Sequence, residues 1–457
     1  MTLFLVATAC KVAPPADSVP DTGSVEQGMT ADTAASPSTT VLPTERPLLV
    51  SPAEATDLDP APDALRVVLV AAPHTWMAGE QLVDGFAYNG QVPGPTLRAR
   101  VGDTLTVELD NELGLDTSIH WHGVDVPFAM DGAGWRAAPV AAGGSFTYSF
   151  VLQQAGTFWY HPHFDTAHQV DRGLYGVLVV EDPADPPVDS ELVLVFDGAA
   201  EVEAGKEDPT VDPTPSRWLV NGLLEPRWEP PSGQSVRVRL LNASNAGYLA
   251  LEDVRVIATD QGLLSGPESS VVLAPGDRAE LEWSAGPDDR EITAVPWSLA
   301  GPSAFPAVPL FGVAATGGLA APGEVSWPFS GDPPTPDPGR TDLRYTFTGS
   351  AENGWEINGQ TWPEIAPDVV ALGSEVVLEI RNVSPAHHPF HLHGMVFEVL
   401  SVDGVAPVAR RVEDTLDISV QQTVRLRIEA DNPGDWMSHC HILPHAEDGM
   451  MTVLTVQ

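Results

Sequence analysis

The segment His439-Cys440-His441-Ile442-Leu443-Pro444-His445-Ala446-Glu447-Asp448-Gly449-Met450 gathers a thiol, three imidazoles and a thioether into one short stretch. A thiolate, imidazoles and a weakly bound thioether are the ligand set of a blue, electron-transferring copper, and Cys440, His445 and Met450 supply three of its four ligands. The fourth must come from elsewhere in the chain. In an extended segment, side chains at i and i+2 share a face and the one between them points the other way. His439 and His441 therefore face away from the metal that Cys440 would hold. They are free to bind other ions, joined to the first by a few covalent bonds.

The elements that must position this segment are β-strands. A pattern of Asn-Gly, then Pro, then Gly, then alternating apolar residues, then Asn occurs three times. It runs from Asn89 through Gly102-Asp103-Thr104-Leu105-Thr106-Val107-Glu108-Leu109 to Asn111. It returns from Asn221 through Gly233 and Val236-Arg237-Val238-Arg239-Leu240 to Asn242, and from Asn358 through Gly373 and Val376-Val377-Leu378-Glu379-Ile380 to Asn382. Each copy reads as a turn followed by a strand with one buried face. The copies begin 132 and 137 residues apart, a spacing suited to β-sandwich domains. Three related β domains are expected, with boundaries near Asp182 to Pro187 and in the Gly/Pro-rich stretch 317–338. The 44 prolines and 40 glycines agree with many turns and few long helices.

Histidines are spread unevenly over these domains. None lies between His168 and His387, so the middle domain offers no imidazole. The first has His120-Trp121-His122-Gly123 and His161-Pro162-His163, and the third has His388-Pro389-Phe390-His391-Leu392-His393-Gly394 besides the opening segment. A single His-x-His pair can simply be exposed or hydrogen-bonded, but ten of the 13 histidines fall in these four clusters, which marks metal sites. With two histidines given to the Cys440 metal, eight are left, four from each end of the chain. Eight imidazoles can hold three ions as two, three and three at the interface of the first and third domains. Together with the blue copper, three further coppers store four electrons, the number that takes dioxygen to water.

With these motifs in this order, the chain resembles the multicopper oxidases, the family of laccases, bacterial copper-efflux oxidases, bilirubin oxidases and ferroxidases. The likeness covers about residues 65–457 and extends to Asn89-Gly90-Gln91-Val92-Pro93-Gly94-Pro95-Thr96 and Asp414-Thr415. It implies an all-β fold of three consecutive cupredoxin-like Greek-key β-sandwich domains, here 61–183, 184–330 and 331–457. It also implies four copper ions, one type 1, one type 2 and a type 3 pair. His388 would complete the type 1 site with Cys440, His445 and Met450. His120 and His391 would bind the type 2 copper; His122, His161 and His441 would hold one type 3 copper, and His163, His393 and His439 the other. Electrons from a reductant would pass from the type 1 site through Cys440 to His439 and His441, and so to dioxygen at the cluster.

Proton supply is the remaining requirement. Asp131, in Met130-Asp131-Gly132, matches the acidic residue that many members place beside the cluster. The chain departs from the bacterial pattern at Ala446, where many members carry a proton-delivering glutamate, and Glu447 and Asp448 are the next carboxylates. Asp131 is expected to carry most of the proton traffic, with Glu447 or Asp448 as a second route. Met450 rather than Met451 has the family spacing from His445, and a thioether ligand implies a modest potential and easily oxidised donors. His74, His168 and His387 read as surface or hydrogen-bonded histidines, and Trp121 and Trp436 as packing residues.

Eight methionines, none in a long cluster, argue against specialised cuprous oxidase activity. The expected reductants are phenols, aromatic amines or low-valent metal ions, with a cuprous oxidase or ferroxidase of metal detoxification as the alternative. Copper nitrite reductases lack the second histidine of His-Cys-His, and a copper-free scaffold would be expected to have lost ligands, all of which are present. Copper storage or electron transfer without oxygen chemistry is a third class, separable by oxygen uptake.

The 22 Lys and Arg against 63 Asp and Glu leave a net charge of -41, which argues against nucleic acid or an anionic membrane surface as partner. Solubility accounts for such a charge, although it would also attract cations. Of the two cysteines, Cys440 is committed to metal, so no structural disulfide is available. Met1 to Ala9 is apolar and precedes Cys10, after which the chain to Pro60 is rich in Ser, Thr, Pro, Ala and Asp. This resembles a bacterial lipoprotein start: a short signal without a basic n-region, a lipidated Cys10 and a disordered tether over 1–60. The expected location is the periplasm or cell surface. No apolar run is long enough to span a membrane.

Overall fold

Each repeated pattern builds the same substructure, in a computed structural model that describes residues 45–133, 138–198, 217–230, 233–284, 289–303, 306–314 and 324–457. The repeat's strand is Thr104–Asn111, Ser235–Asn242 or Ser374–Asn382. In every copy it runs parallel to the first strand of its domain (Ala64–Ala78, Ser190–Gly198 or Leu343–Ser350). It runs antiparallel to a later one (Ser145–Val151, Arg278–Ser284 or Thr423–Ala430). The result is three consecutive cupredoxin-like β-sandwich domains.

The asparagines recur for a physical reason. Asn89, Asn221 and Asn358 sit at φ +52°, +51° and +55° and are each followed by a glycine at positive φ, the hairpin conformation that Asn-Gly favours. Each accepts one amide with Oδ1 (Val70, Val195 or Thr346) and donates Nδ2 to the carbonyl two residues before it (Val68, Val193 or Arg344). The closing asparagines are buried. Nδ2 of Asn111 reaches the carbonyls of Leu115 and Val140, that of Asn242 those of Gly247 and Leu273, and that of Asn382 those of Ala386 and Ile418. A side chain that donates and accepts at once ties strand to turn where no ladder bond can.

One expectation fails in the middle domain. Burial alternates along Thr104–Asn111, but every residue of Ser235–Asn242 is buried. Its second face is covered because Arg237 and Arg239 bond Glu280, and Arg239 Nη1 also donates to Thr157 Oγ1 of the first domain at 2.9 Å.

The histidine motifs lie on the second sheet of the outer two domains. In the first, its strand order is Leu97–Arg100, Gly176–Glu181, Gly156–His161, His120–His122; in the third, Asp368–Val370, Met451–Val456, Gly434–Cys440, His388–Leu392, Thr415–Ile418. Each domain has its own apolar core. A further cluster joins Trp159 and Val177 of the first to Val193, Val195 and Leu241 of the second and Leu443 of the third. Trp121 and Trp436 are fully buried in the first and third cores, as expected of packing residues.

Cys10 and the rest of the expected signal lie outside the described residues. Part of the expected tether is instead pinned to the domains. Leu49 is 2% exposed in the middle core and its amide donates to Arg227 O at 2.8 Å, while Ala55 N donates to Thr96 O at 2.9 Å. Ion pairs of Arg46 with Glu291 and of Glu54 with Arg98 add to these backbone bonds, and the polar composition of the segment conceals that it is held. Among the described residues, no helix is long and apolar enough to cross a membrane.

Candidate metal centre

The thiol site is assembled by three pieces of the third domain. Strands His388–Leu392 and Gly434–Cys440 pair with Phe390 opposite Cys440, and the short helix Leu443–Glu447, with proline in its first turn, folds His445 back. Cys440 Sγ lies 3.5 Å from His388 Nδ1 and 3.6 Å from His445 Nδ1, and the two nitrogens are 3.3 Å apart. A point equidistant from these three atoms is about 2.0 Å from each, the length of a metal–imidazole bond. Met450 is fully buried, and its carbonyl accepts the Cys440 amide at 3.1 Å. The Trp355 ring covers His445 at 4.4 Å and His388 at 4.9 Å.

Ser384 sets the tautomer of His388. Its hydroxyl proton goes to Asn382 Oδ1 at 2.8 Å or Ala386 O at 3.0 Å, so towards His388 Nε2, at 2.8 Å, it accepts. Nε2 of His388 therefore carries the proton, and Nδ1 presents its lone pair to Cys440 and His445.

The expected alternation about Cys440 holds. His439 and His441 turn to the opposite side, where strands of the first and third domains meet. Register places His120 opposite His161 and His391 opposite His439. Across the domain boundary, His120 stacks on His393 and His122 on His391, each pair with ring centroids 3.8 Å apart. His439 Nε2 is 3.1 Å from His393 Nε2 and 3.4 Å from His163 Nε2, and His120 Nε2 is 3.5 Å from His391 Nε2.

In six of the eight rings the opposite nitrogen is engaged from outside. Nδ1 of His161 meets Pro162 O at 2.8 Å, that of His439 Cys440 O at 2.9 Å, and that of His391 Asp414 O at 3.0 Å. Nδ1 of His120 meets Asp131 O at 3.0 Å and lies 3.2 Å from its carboxylate, Nδ1 of His393 faces that carboxylate at 3.1 Å, and His122 Nε2 faces Asp414 Oδ1 at 3.0 Å. Such outer partners orient an imidazole and leave its other nitrogen for a metal.

Whether these residues fit metal ions can be read from their unsatisfied atoms. His122 Nδ1, His161 Nε2 and both nitrogens of His441 are buried with no hydrogen-bond partner. A buried polar atom left unpaired costs about 1–3 kcal/mol, and these belong to the three histidines expected to share one ion. The second expected trio, His163, His393 and His439, brings its donor atoms within 4.8 Å of one another. His120 also approaches His122 and His161 as closely, so the rings form one continuous cluster rather than separate trios. Burial first, and neighbouring imidazoles second, hold His122, His161, His388, His393, His439 and His441 well below the usual histidine range. Burial alone takes His445 down to about 3. These imidazoles are neutral, as metal ligands must be, and the donor set fits copper.

The carboxylates are distributed less simply. Burial raises the Asp131 carboxyl, but His393 and His120 more than offset this and hold it well below the usual carboxylate range. Gly132, at φ +72°, allows this approach, since a Cβ there would meet the Ile119 carbonyl. Glu447 accepts the Ala167 amide at 3.0 Å and lines a cavity of about 240 Å³ that reaches His163 and His439 past Trp362, Met437 and Met451. Ala446 lines it too; Asp448 does not. His168 is exposed and His74 partly so, whereas His387 is buried and bonds Asp417 Oδ2 at 2.6 Å. Ser384 and the supporting roles of Asp414 and Thr415 were not foreseen. Asp414-Thr415 stood out as a motif, but nothing local says that it backs His122 and His391.

Comparison with known proteins agrees with this geometry. Residues 70–185 and 334–457 each match a family model described as multicopper oxidase. The chain is 30% identical to a multicopper oxidase of Mycobacterium tuberculosis, over 82% of this chain and 84% of that protein. It is 29% identical to Laccase-2 of Trametes versicolor, over 81% and 86% of the two chains. Among solved structures, a multicopper oxidase from Pseudomonas thermotolerans superposes with a TM-score of 0.72 at 31% identity, covering 87% of this chain and all of the other.

Proposed function

The chain belongs to the multicopper oxidase family, and on that premise we propose that its copper is held as one type 1 ion, one type 2 ion and a type 3 pair. It is an oxidoreductase that couples oxidation of a reducing substrate to reduction of dioxygen. Cys440, His388, His445 and Met450 form the type 1 set; His120 and His391 the type 2 set; His122, His161 and His441, and His163, His393 and His439, the type 3 sets. Copper bound in these sets supplies one-electron acceptance from the donor and four-electron reduction of dioxygen. The observation that carries the reading is the strand at Cys440, whose thiol joins one buried donor triangle while the adjacent His439 and His441 join the other cluster.

The protein's own residues do the remaining work. Buried apolar walls and Trp355 keep water from the thiol. Asp131 orients His120 and His393 and serves as the principal proton carrier. Glu447, on the cavity that reaches His163 and His439, is the second route, ahead of Asp448. A methionine-ligated type 1 copper favours easily oxidised donors, and phenols and aromatic amines are the first reading. The net charge of -41 favours a second reading, ferrous or cuprous ions as donor. The domains divide at 61–183, 184–330 and 331–457. Met1 to Cys10 supports export and a lipid anchor at Cys10.

Copper content, thiolate-to-copper absorbance and oxygen uptake on copper-loaded protein test the assignment; full copper loading without oxygen uptake would refute it. Rates over a phenol, an aromatic amine, Fe(II) and Cu(I) decide the donor, and a marked preference for either metal displaces the phenol and amine reading.

A further inference from the structure

The middle domain contributes no histidine, yet its turn between strands Gly262–Leu273 and Arg278–Ser284 reaches the histidine cluster. Gly276, at φ +91°, lies against the His441 ring: a Cβ there would be 2.9 Å from His441 Cγ and 3.0 Å from Nδ1. Two residues on, Arg278 is completely buried. Its guanidinium grips Asp414 through both terminal nitrogens, Nη1 to Oδ1 at 2.8 Å and Nη2 to Oδ2 at 2.5 Å. Nε donates to Thr157 O of the first domain at 2.9 Å.

Asp414 Oδ1 in turn faces His122 Nε2 of the first domain at 3.0 Å, while His391 Nδ1 of the third meets Asp414 O at 3.0 Å and lies 3.5 Å from Oδ1. Thr415 Oγ1 lies 3.0 and 3.1 Å from the same two nitrogens and donates its own proton to Asp414 Oδ1 at 2.9 Å. Gln261 and Asp260, also of the middle domain, complete the shell: Gln261 Nε2 donates to Asp414 Oδ2 at 2.6 Å, and Asp260 Oδ2 accepts the Thr415 amide at 3.2 Å.

We propose that Arg278 is a positioning residue for the copper cluster, by which the middle domain locks Asp414 behind His122 and His391 and so sets the outer hydrogen bonds of one ligand from each flanking domain. The inference rests on the reading that these histidines hold copper. A forked guanidinium–carboxylate pair has a fixed plane. With Asp414 so fixed, its Oδ1 faces His122 and its carbonyl faces His391, and both rings keep the opposite nitrogen turned into the cluster. Lysine at this position retains the charge and loses the plane, so charge and geometry can be separated.

The test uses the full-length protein and two variants, Arg278→Lys and the charge-compensated pair Arg278→Met with Asp260→Asn. The second avoids leaving two buried carboxylates without a cation. Blue absorbance reports an intact third domain. Type 2 copper paramagnetic resonance, and copper retained against a chelator, report the cluster. The expected result is wild-type blue absorbance with an altered type 2 signal and cluster copper released at about 10- to 100-fold lower chelator concentration, the usual effect of losing an outer partner. Unchanged cluster signals in both variants overturn the inference, and so does parallel loss of blue and cluster copper, which would make Arg278 a folding residue. A wild-type protein that takes up copper only at Cys440 fails the underlying reading instead.

Discussion

Replacing Ser384 by alanine isolates the geometry of the thiol site from its ligands. Ser384 touches no donor atom of the Cys440 triangle, yet its oxygen accepts the His388 Nε2 proton at 2.8 Å in a fully buried setting. Without it, Nε2–H has no acceptor, and the tautomer that presents Nδ1 to Cys440 and His445 is no longer favoured. An unpaired buried donor costs about 1–3 kcal/mol. Loss of an outer partner lowers metal affinity about 10- to 100-fold, equivalent to about 1.4–2.7 kcal/mol. The two figures agree because both measure the same missing bond. Blue absorbance titrated with a chelator should therefore show a midpoint 10- to 100-fold lower in Ser384→Ala, with cluster copper unchanged. Ser384→Thr, which keeps the hydroxyl, should stay close to wild type. An unchanged midpoint in Ser384→Ala, or equal loss of cluster copper, would refute the argument.

Asp131→Asn keeps the shape, and the main-chain carbonyl that meets His120, but removes the ionisable carboxylate beside His393; rapid-mixing experiments should show slower reoxidation by dioxygen with the blue copper still reducible, and unchanged turnover would remove Asp131 from the proton path. Glu447→Gln should reduce turnover by a smaller factor, with a changed pH profile and unchanged copper content, while Asp448→Asn should leave both alone. Gly394 sits at φ +64° with its α-carbon against the Trp436 ring, so Gly394→Ala combines a left-handed alanine with overpacking. A loss of about 2–4 kcal/mol is expected from denaturant unfolding. In copper-free protein, His445 has a folded pKa of about 3 against about 6.5 unfolded. Its contribution is present above the unfolded value and is lost as pH falls towards the folded one. The stability difference between wild type and His445→Gln should thus shift against wild type by about 2 kcal/mol from pH 7.5 to pH 5, and a pH-independent difference would contradict the buried neutral imidazole.

The residue types that could bind metal, and the turning of Cys440 away from its two neighbouring histidines, were legible in the sequence, because strand alternation is a local rule. Cys440 must turn away from His439 and His441 whatever surrounds them, and His120 and His122 share a face on any strand. The triple Asn-Gly pattern announced three related sandwiches for the same reason: its asparagines bond to backbone within their own domain. Of the supports of the cluster, Asp131 was legible only through the family resemblance, and Arg278 was not legible at all. Asp131 lies 262 residues from His393, and Arg278 lies 136 from Asp414; no local periodicity links such partners. Only the packing of three domains decides which carboxylate faces which imidazole, which tautomer each ring adopts, and that a domain without histidine supplies the arginine behind the cluster. The spacing of the motifs determines what the protein can bind, and the tertiary contacts determine how each ligand is aimed.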